Sequence, residues 1–435
     1  MRATLLPAAQ VERGVWDLNC PLWLLHRPGA PILSAKLWMR GGSAGDPGDQ
    51  RGAAQLLAGL LSRGCGPYSG DALADLVEGC GAGLRCEAAE DATLISLKCA
   101  SDDAPVLLPL LLQMVCSPWL VDDQIALERQ LNLQTLQRQR EDPFQVAHDQ
   151  LREQLYGQGP YGHDPLGVEA ELRRLDREAL LLQAEQLGQR GAVLVLAGQI
   201  PTGVSELLLA GLGDLSWTSQ VPQRLAGPRG SGSCSLATSP DETEQLVLML
   251  GTTTTPLGAD QALALRLLHC HLGIGMSSRL FVALREEHGL AYDVGVHHPA
   301  RLGDAPFVFH LSSSSERAGD ATAALLDEWQ RLLEQPLSRA ELDLALAKFR
   351  GQEALGRQTS SQLADRLALV LGHGLPADFA DRSLEQAARL DPDDLQAAAR
   401  RLLGRPSLSL CGPAAALREA ERVWREHPLS GPTAG

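Results

Sequence analysis

The 435-residue sequence is poor in aromatic residues, which make up 4% of it, and in cations, with 38 Lys and Arg against 53 Asp and Glu. Its core must therefore be packed mainly from Leu and Ala. A formal net charge of −15 weighs against nucleic acid or an anionic membrane as principal partner, because phosphate recognition needs clustered cations. No run approaches 18 consecutive apolar residues, so no segment reads as a membrane span. The opening MRATLLPAAQVERGVW lacks the basic stretch and long apolar run of a secretory signal. No Cys-x-x-Cys occurs, and the nine cysteines (Cys20, Cys65, Cys80, Cys86, Cys99, Cys116, Cys234, Cys270 and Cys411) are odd in number. Both facts disfavour a disulfide framework and a thiolate zinc site; free thiols in a reducing cytoplasm are expected.

What is present is a globular composition, 44% hydrophobic and 21% charged. A Pro/Gly/Ser-rich stretch, PQRLAGPRGSGSCS from Pro222 to Ser235, reads as a linker between halves of nearly equal length. The expected domains are residues 1–221 and 236–435, with 222–235 between them.

The halves repeat one order of elements. Leu175–Gly198 and Leu390–Gly412 each offer an Asp N-cap, an apolar-periodic helix and a short apolar strand closing on Gly. Earlier, Ser34–Gly42 and Glu244–Gly251 read as strands. SGDALADLVEGCGAG leads into strands LRCEA and ATLISLKCA, as SSRLFVALREEHG leads into LAYDVGVHH and APFVFHLSS. Helices are expected over Ala104–Cys116, Val121–Arg140 and Phe144–Tyr156, and again over Ala318–Leu333, Ser338–Gln352 and Ser361–Leu371. The fold class is thus α+β: two homologous α/β-sandwich domains, each a mostly antiparallel sheet covered by helices on one side.

The most informative run is LGIGMSSRLFVALREEHGLAYDVGVHH, Leu272 to His298. Ser277 or Ser278 opens a helix, Leu280, Phe281 and Leu284 form its buried stripe, and Gly289 ends it. Arg285 sits in the last turn and Tyr292 seven positions on. This run resembles the C-terminal signature of the insulinase-type (M16, inverted-zincin) metallopeptidases. In active members, the resemblance implies, the matching Arg and Tyr bind the peptide backbone and stabilise the oxyanion at a zinc-bound carbonyl. That role falls on Arg285 and Tyr292, and the fold implied is half of a clamshell made of duplicated α+β domains.

In the first half, Met39–Gly64 resembles the family's strand, loop and zinc helix. Active members carry H-x-x-E-H there, two His as ligands and Glu as base, with a Glu further on as third ligand. The matching positions read Gln55, Ala58 and Gly59, and the third ligand falls on Thr135, 76 positions after Gly59 and just beyond the Glu128-Arg129 landmark. The resemblance therefore implies no metal in this chain and zinc in a partner. Neither His269/His271 nor His297/His298 offers an alternative, since each pair points two ways.

The expected function is a non-catalytic subunit of a heterodimeric M16 zinc peptidase. It would supply Arg285 and Tyr292 for cleavage of small or unfolded peptides by a zinc-motif-bearing partner, with peptide captured as an added strand. The alternative is a non-enzymatic peptide-binding or scaffold protein of the same fold, as a homodimer.

Overall fold

The computed structural model describes residues 10–15 (backbone only), 20–210, 212, 214, 216–224, 226–231 and 234–431. Its strands are β1 (Gln10–Val15), β2 (Pro21–His26), β3 (Ile32–Arg40), β4 (Gly64–Cys65), β5 (Tyr68–Ser69), β6 (Gly83–Ala88), β7 (Ala92–Ala100), β8 (Ala192–Gly198), β9 (Leu236–Pro240), β10 (Gln245–Thr253), β11 (Asp293–His297), β12 (Pro306–Ser314) and β13 (Ser407–Gly412). The helices are α1 (Ala53–Leu60), α2 (Gly70–Gly79), α3 (Ala104–Cys116), α4 (Asp122–Arg140), α5 (Pro143–Tyr156), α6 (Glu169–Leu172), α7 (Arg177–Gln186), α8 (Val204–Ala210), α9 (Ala262–Gly273), α10 (Ala318–Glu334), α11 (Arg339–Leu355), α12 (Ser360–Gly372), α13 (Phe379–Ala387), α14 (Pro392–Leu402) and α15 (Ala414–Glu426). No helix among the described residues is long and apolar enough to cross a membrane.

Two sheets organise the chain. One runs β1-β2-β8-β3-β7-β6, the other β11-β12-β10-β13-β9. Read in reverse, the second repeats the first from β2 onward. The pairings agree as well: β2 with β8 and β9 with β13 are parallel, and every other neighbour pair is antiparallel. The α+β duplication expected from the order of elements is thus carried by strand order and polarity together. The repeated Asp caps are also present: Asp176 accepts from Ala179 N at 2.9 Å and Asp391 from Asp394 N at 2.9 Å.

The compact units exchange one segment each. Unit 1 comprises Met1–Leu136, Asp164–Leu225 and Ala354–Phe379; unit 2 comprises Gln137–His163, Ala226–Glu353 and Ala380–Gly435. Helix α5, from the first half of the sequence, packs on β9, β10 and β13, while its counterpart α12, from the second half, packs on β3 and β8. In unit 2, Ser409 Oγ donates to Ala147 O at 2.8 Å. In unit 1, Lys36 Nζ meets Asp365 of α12 at 3.0 Å, and Gly372 lies so close to Trp38 that a Cβ there would stand 2.3 Å from its ring.

Each sheet therefore has helices on both faces, not on one side as expected, because the exchanged helix covers the second face, and this explains a feature of composition. Strands β8 (AVLVLAG) and β13 (SLSLCG) are buried at every position rather than alternately. A strand covered on both sides reads as a continuous apolar or small-residue run.

Candidate functional site

Helix α1 begins where Asp46 caps it, accepting from Gly52 N at 2.7 Å and Ala54 N at 2.9 Å. Gly52 enters the helix at φ +104°, a conformation that only glycine adopts without strain. The helix then presents Gln55, Ala58 and Gly59. Gln55 Oε1 accepts from Ala88 N at 3.2 Å, holding the end of β6. Ala58 is fully buried and has no donor atom to give a metal.

Gly59 is the informative position. A Cβ built on it would lie 2.3 Å from Oε1 of Glu128 and 2.6 Å from its carboxyl carbon. The Glu128 side chain, from α4, fills the space that a side chain at position 59 requires. It is held there by Arg63, whose guanidinium donates to Glu128 Oε2 at 2.9 Å. Two turns further along α4, Thr135 is exposed, and its hydroxyl donates to Leu131 O of its own helix at 2.9 Å.

These residues do not fit zinc. An amide oxygen already engaged, a methyl group, a hydrogen atom and a hydroxyl turned to its own helix include no anionic ligand and no imidazole. Among the described residues, no group of three or more His, Cys, Asp or Glu is arranged to hold a metal ion. Sequence reasoning used Glu128 only as a landmark. The signal for its packing role was Gly59 itself, a glycine in the last turn of α1 that leaves room for a neighbouring side chain.

In unit 2, the helix after the Gly275 turn is π-helical over Phe281–Glu287. Its wide turns close through His288 N to Ala283 O and Leu290 N to Leu284 O, at 3.2 and 2.8 Å. Such segments recur at functional sites. The strand that follows is shorter than the alternation suggested, starting at Asp293, so Tyr292 stands just before β11. Its N–H is nonetheless anchored on Ser312 O of β12 at 2.8 Å.

The structure brings Arg285 and Tyr292 together. Arg285 Nη1 donates to the Tyr292 carbonyl at 3.0 Å, and its guanidinium lies over the Phe281 ring, 5.2 Å from the centroid. Tyr292 is 61% exposed, and Arg285 is exposed as well. Both residues reach solvent, and a phenol and a guanidinium are donors of the kind that suit a carbonyl or carboxylate oxygen.

The same unit concentrates half-buried histidines. Burial lowers His271 and His298 from 6.5 to about 4; it also lowers His269, in contact with His298, and His310, which faces Asp293 and His148. A histidine held neutral by the fold stabilises it fully above the unfolded value near 6.5 and progressively less as pH falls toward the folded value. At pH 5 the loss is on the order of 1–2 kcal/mol for each of His271 and His298. Asp46 of unit 1, raised by burial from 3.8 to about 6, acts in the opposite sense, because its folded environment favours the protonated acid. Hydrogen exchange at pH 7 and pH 5 is expected to show protection falling in α9 and β11–β12, with α1 retained. Equal loss in both units would contradict this.

Two family models match in tandem: insulinase (peptidase family M16) over residues 23–167, and peptidase M16 inactive domain over residues 184–349. An uncharacterized zinc protease of Mycobacterium tuberculosis is 25% identical over 383 residues, covering 87% of each chain. Another from Streptomyces coelicolor is 24% identical over 388 residues, covering 87% of this chain and 84% of its own. Among solved structures, the peptidase M16 inactive domain from Pseudomonas fluorescens matches with TM-score 0.85 at 21% identity, covering 93% of this chain and 98% of that one. A protease from Helicobacter pylori matches with TM-score 0.82 at 17% identity, over 94% and 100% of the two chains. With both halves matched in order and the duplicated fold shared along nearly its whole length, the chain belongs to the insulinase family of peptidases, M16.

Proposed function

We propose that this chain is the zinc-free subunit of a heterodimeric M16 peptidase, supplying Arg285 and Tyr292 to a peptide cleaved at the zinc of a partner chain. The observation that carries the reading is the contrast between the two places. At the zinc-motif positions every ligand is gone and Glu128 packs against Gly59. At the other, an Arg and a Tyr are exposed together and anchored through backbone hydrogen bonds.

The division of labour follows from charge. Attack on a peptide carbonyl develops negative charge on oxygen, and fixed donors stabilise that charge more than they stabilise the neutral ground state. The phenol and guanidinium serve as such donors, while the metal and general base belong to the partner. Peptides enter extended, adding a strand to a sheet edge, so substrates are short or unfolded. The pair works in the cytoplasm, a compartment that suits nine cysteines that are all free.

The test is reconstitution. Co-expressed with an M16 chain from the same genome that carries H-x-x-E-H, this protein is expected to copurify and the pair to cleave unstructured peptides, while this chain alone cleaves none. A partner that is fully active alone and gains nothing from this chain would favour the scaffold reading.

A further inference from the structure

A cleft of about 200 Å³ opens in unit 1 on the Ala54–Leu57 side of α1, between the Gly41–Gly45 turn and α7. In a chain of net charge −15, both charged residues lining it are arginines, Arg40 and Arg190. Asp46 does not line the cleft; its carboxylate is turned to Gly52 N, Ala54 N and Gln183 Nε2, the last at 3.1 Å.

The two cations differ in kind. Arg40 is rooted: Nη2 donates to Gln223 O at 2.6 Å and Gly372 O at 2.9 Å, while its buried Nε has no hydrogen-bond partner. Burial lowers its pKa more than the nearby Asp91 raises it, so its positive charge is under-compensated. Arg190 is exposed and leans over the glycine turn, with Nη1 3.6 Å from where a Cβ on Gly45 would stand. Leu57, Leu182 and Leu187 give the cleft an apolar wall, and the amides of Gln50 and Gln186 stand at its polar side.

We propose that this cleft binds a carboxylate carried on a short aliphatic group, the anion between Arg40 and Arg190 and the aliphatic part against the leucines. Inorganic phosphate satisfies the guanidiniums but leaves the apolar wall against water. The same chemistry comes from two sources, a free small acid or the C-terminal residue of a peptide.

Titration calorimetry on the full chain uses N-acetyl-leucine, its amide, inorganic phosphate, and acetyl-Ala-Ala-Leu with a free or amidated C-terminus. N-acetyl-leucine is expected to bind and its amide not to. Arg190→Gln should weaken binding about tenfold and Arg190→Glu abolish it. Because Arg190 is exposed, both variants should melt as the native chain does without ligand. Binding of the free-acid tripeptide assigns the cleft to peptide C-termini; its failure beside bound N-acetyl-leucine assigns it to small acids. Equal binding of the amide, phosphate binding as tight as N-acetyl-leucine, unchanged affinity in Arg190→Glu, or no binding at about 10 mM would each overturn the proposal.

Discussion

Tyr292→Phe is expected to lower peptide turnover by the reconstituted pair about 100- to 1000-fold while leaving the dimer intact, the usual cost of losing one oxyanion donor. The substitution removes a single oxygen. It leaves the Tyr292 N–H on Ser312 O, and the exposed ring contributes little to the core. Arg285→Ala should match that loss and add a rise in KM, because Arg285 also holds the Tyr292 carbonyl at 3.0 Å. The measurements are steady-state kcat and KM on the purified pair, with gel filtration to verify assembly. Wild-type turnover in both variants would make the two residues structural.

Gly59→His is expected to destabilise unit 1 by about 3 kcal/mol, through steric displacement of Glu128 and loss of its ion pair with Arg63. The Glu128 side chain is only 13% exposed, so its carboxylate cannot simply turn to water in place. In a double-mutant cycle, Glu128→Ala should recover much of that loss, since the imidazole then has room. Denaturant unfolding of the four chains measures the coupling. Restoring Gln55→His, Ala58→Glu and Thr135→Glu alongside Gly59→His should still give no measurable proteolysis, because the groups that orient metal ligands are absent. If Gly59→His costs nothing, or Glu128→Ala relieves nothing, the space at position 59 is not filled as described.

Much of the fold was legible in the sequence because its signals are local. Ala104–Cys116 matches α3 at both ends, and the other five long helices agree to within a few residues, since apolar period and caps act over a single turn. The Asp176 and Asp391 caps were readable for the same reason. Strands β1, β2 and β9 were missed: they lie at sheet edges or near them, with little apolar alternation. The exchange of α5 and α12 was beyond reach. An amphipathic pattern such as that of α12 says that one face is buried, not which sheet buries it.

The candidate site divides in the same way. Arg285 and Tyr292 were found by resemblance, but their meeting depends on the π-helical turn, which no residue pattern announces. The positions Gln55, Ala58, Gly59 and Thr135 were matched to the zinc motif by the same resemblance, and their residue types alone say that they offer no imidazole or carboxylate. That Glu128 had taken up the room at Gly59 required coordinates, because the two residues lie far apart in the chain.

Metal analysis of the copurified pair decides which chain holds the zinc. One zinc per heterodimer is expected, lost when the first His of the partner's H-x-x-E-H is replaced, and none above background in this chain purified alone. Two zinc ions per heterodimer, or one held tightly by this chain alone and required for its own peptide cleavage, would contradict that expectation.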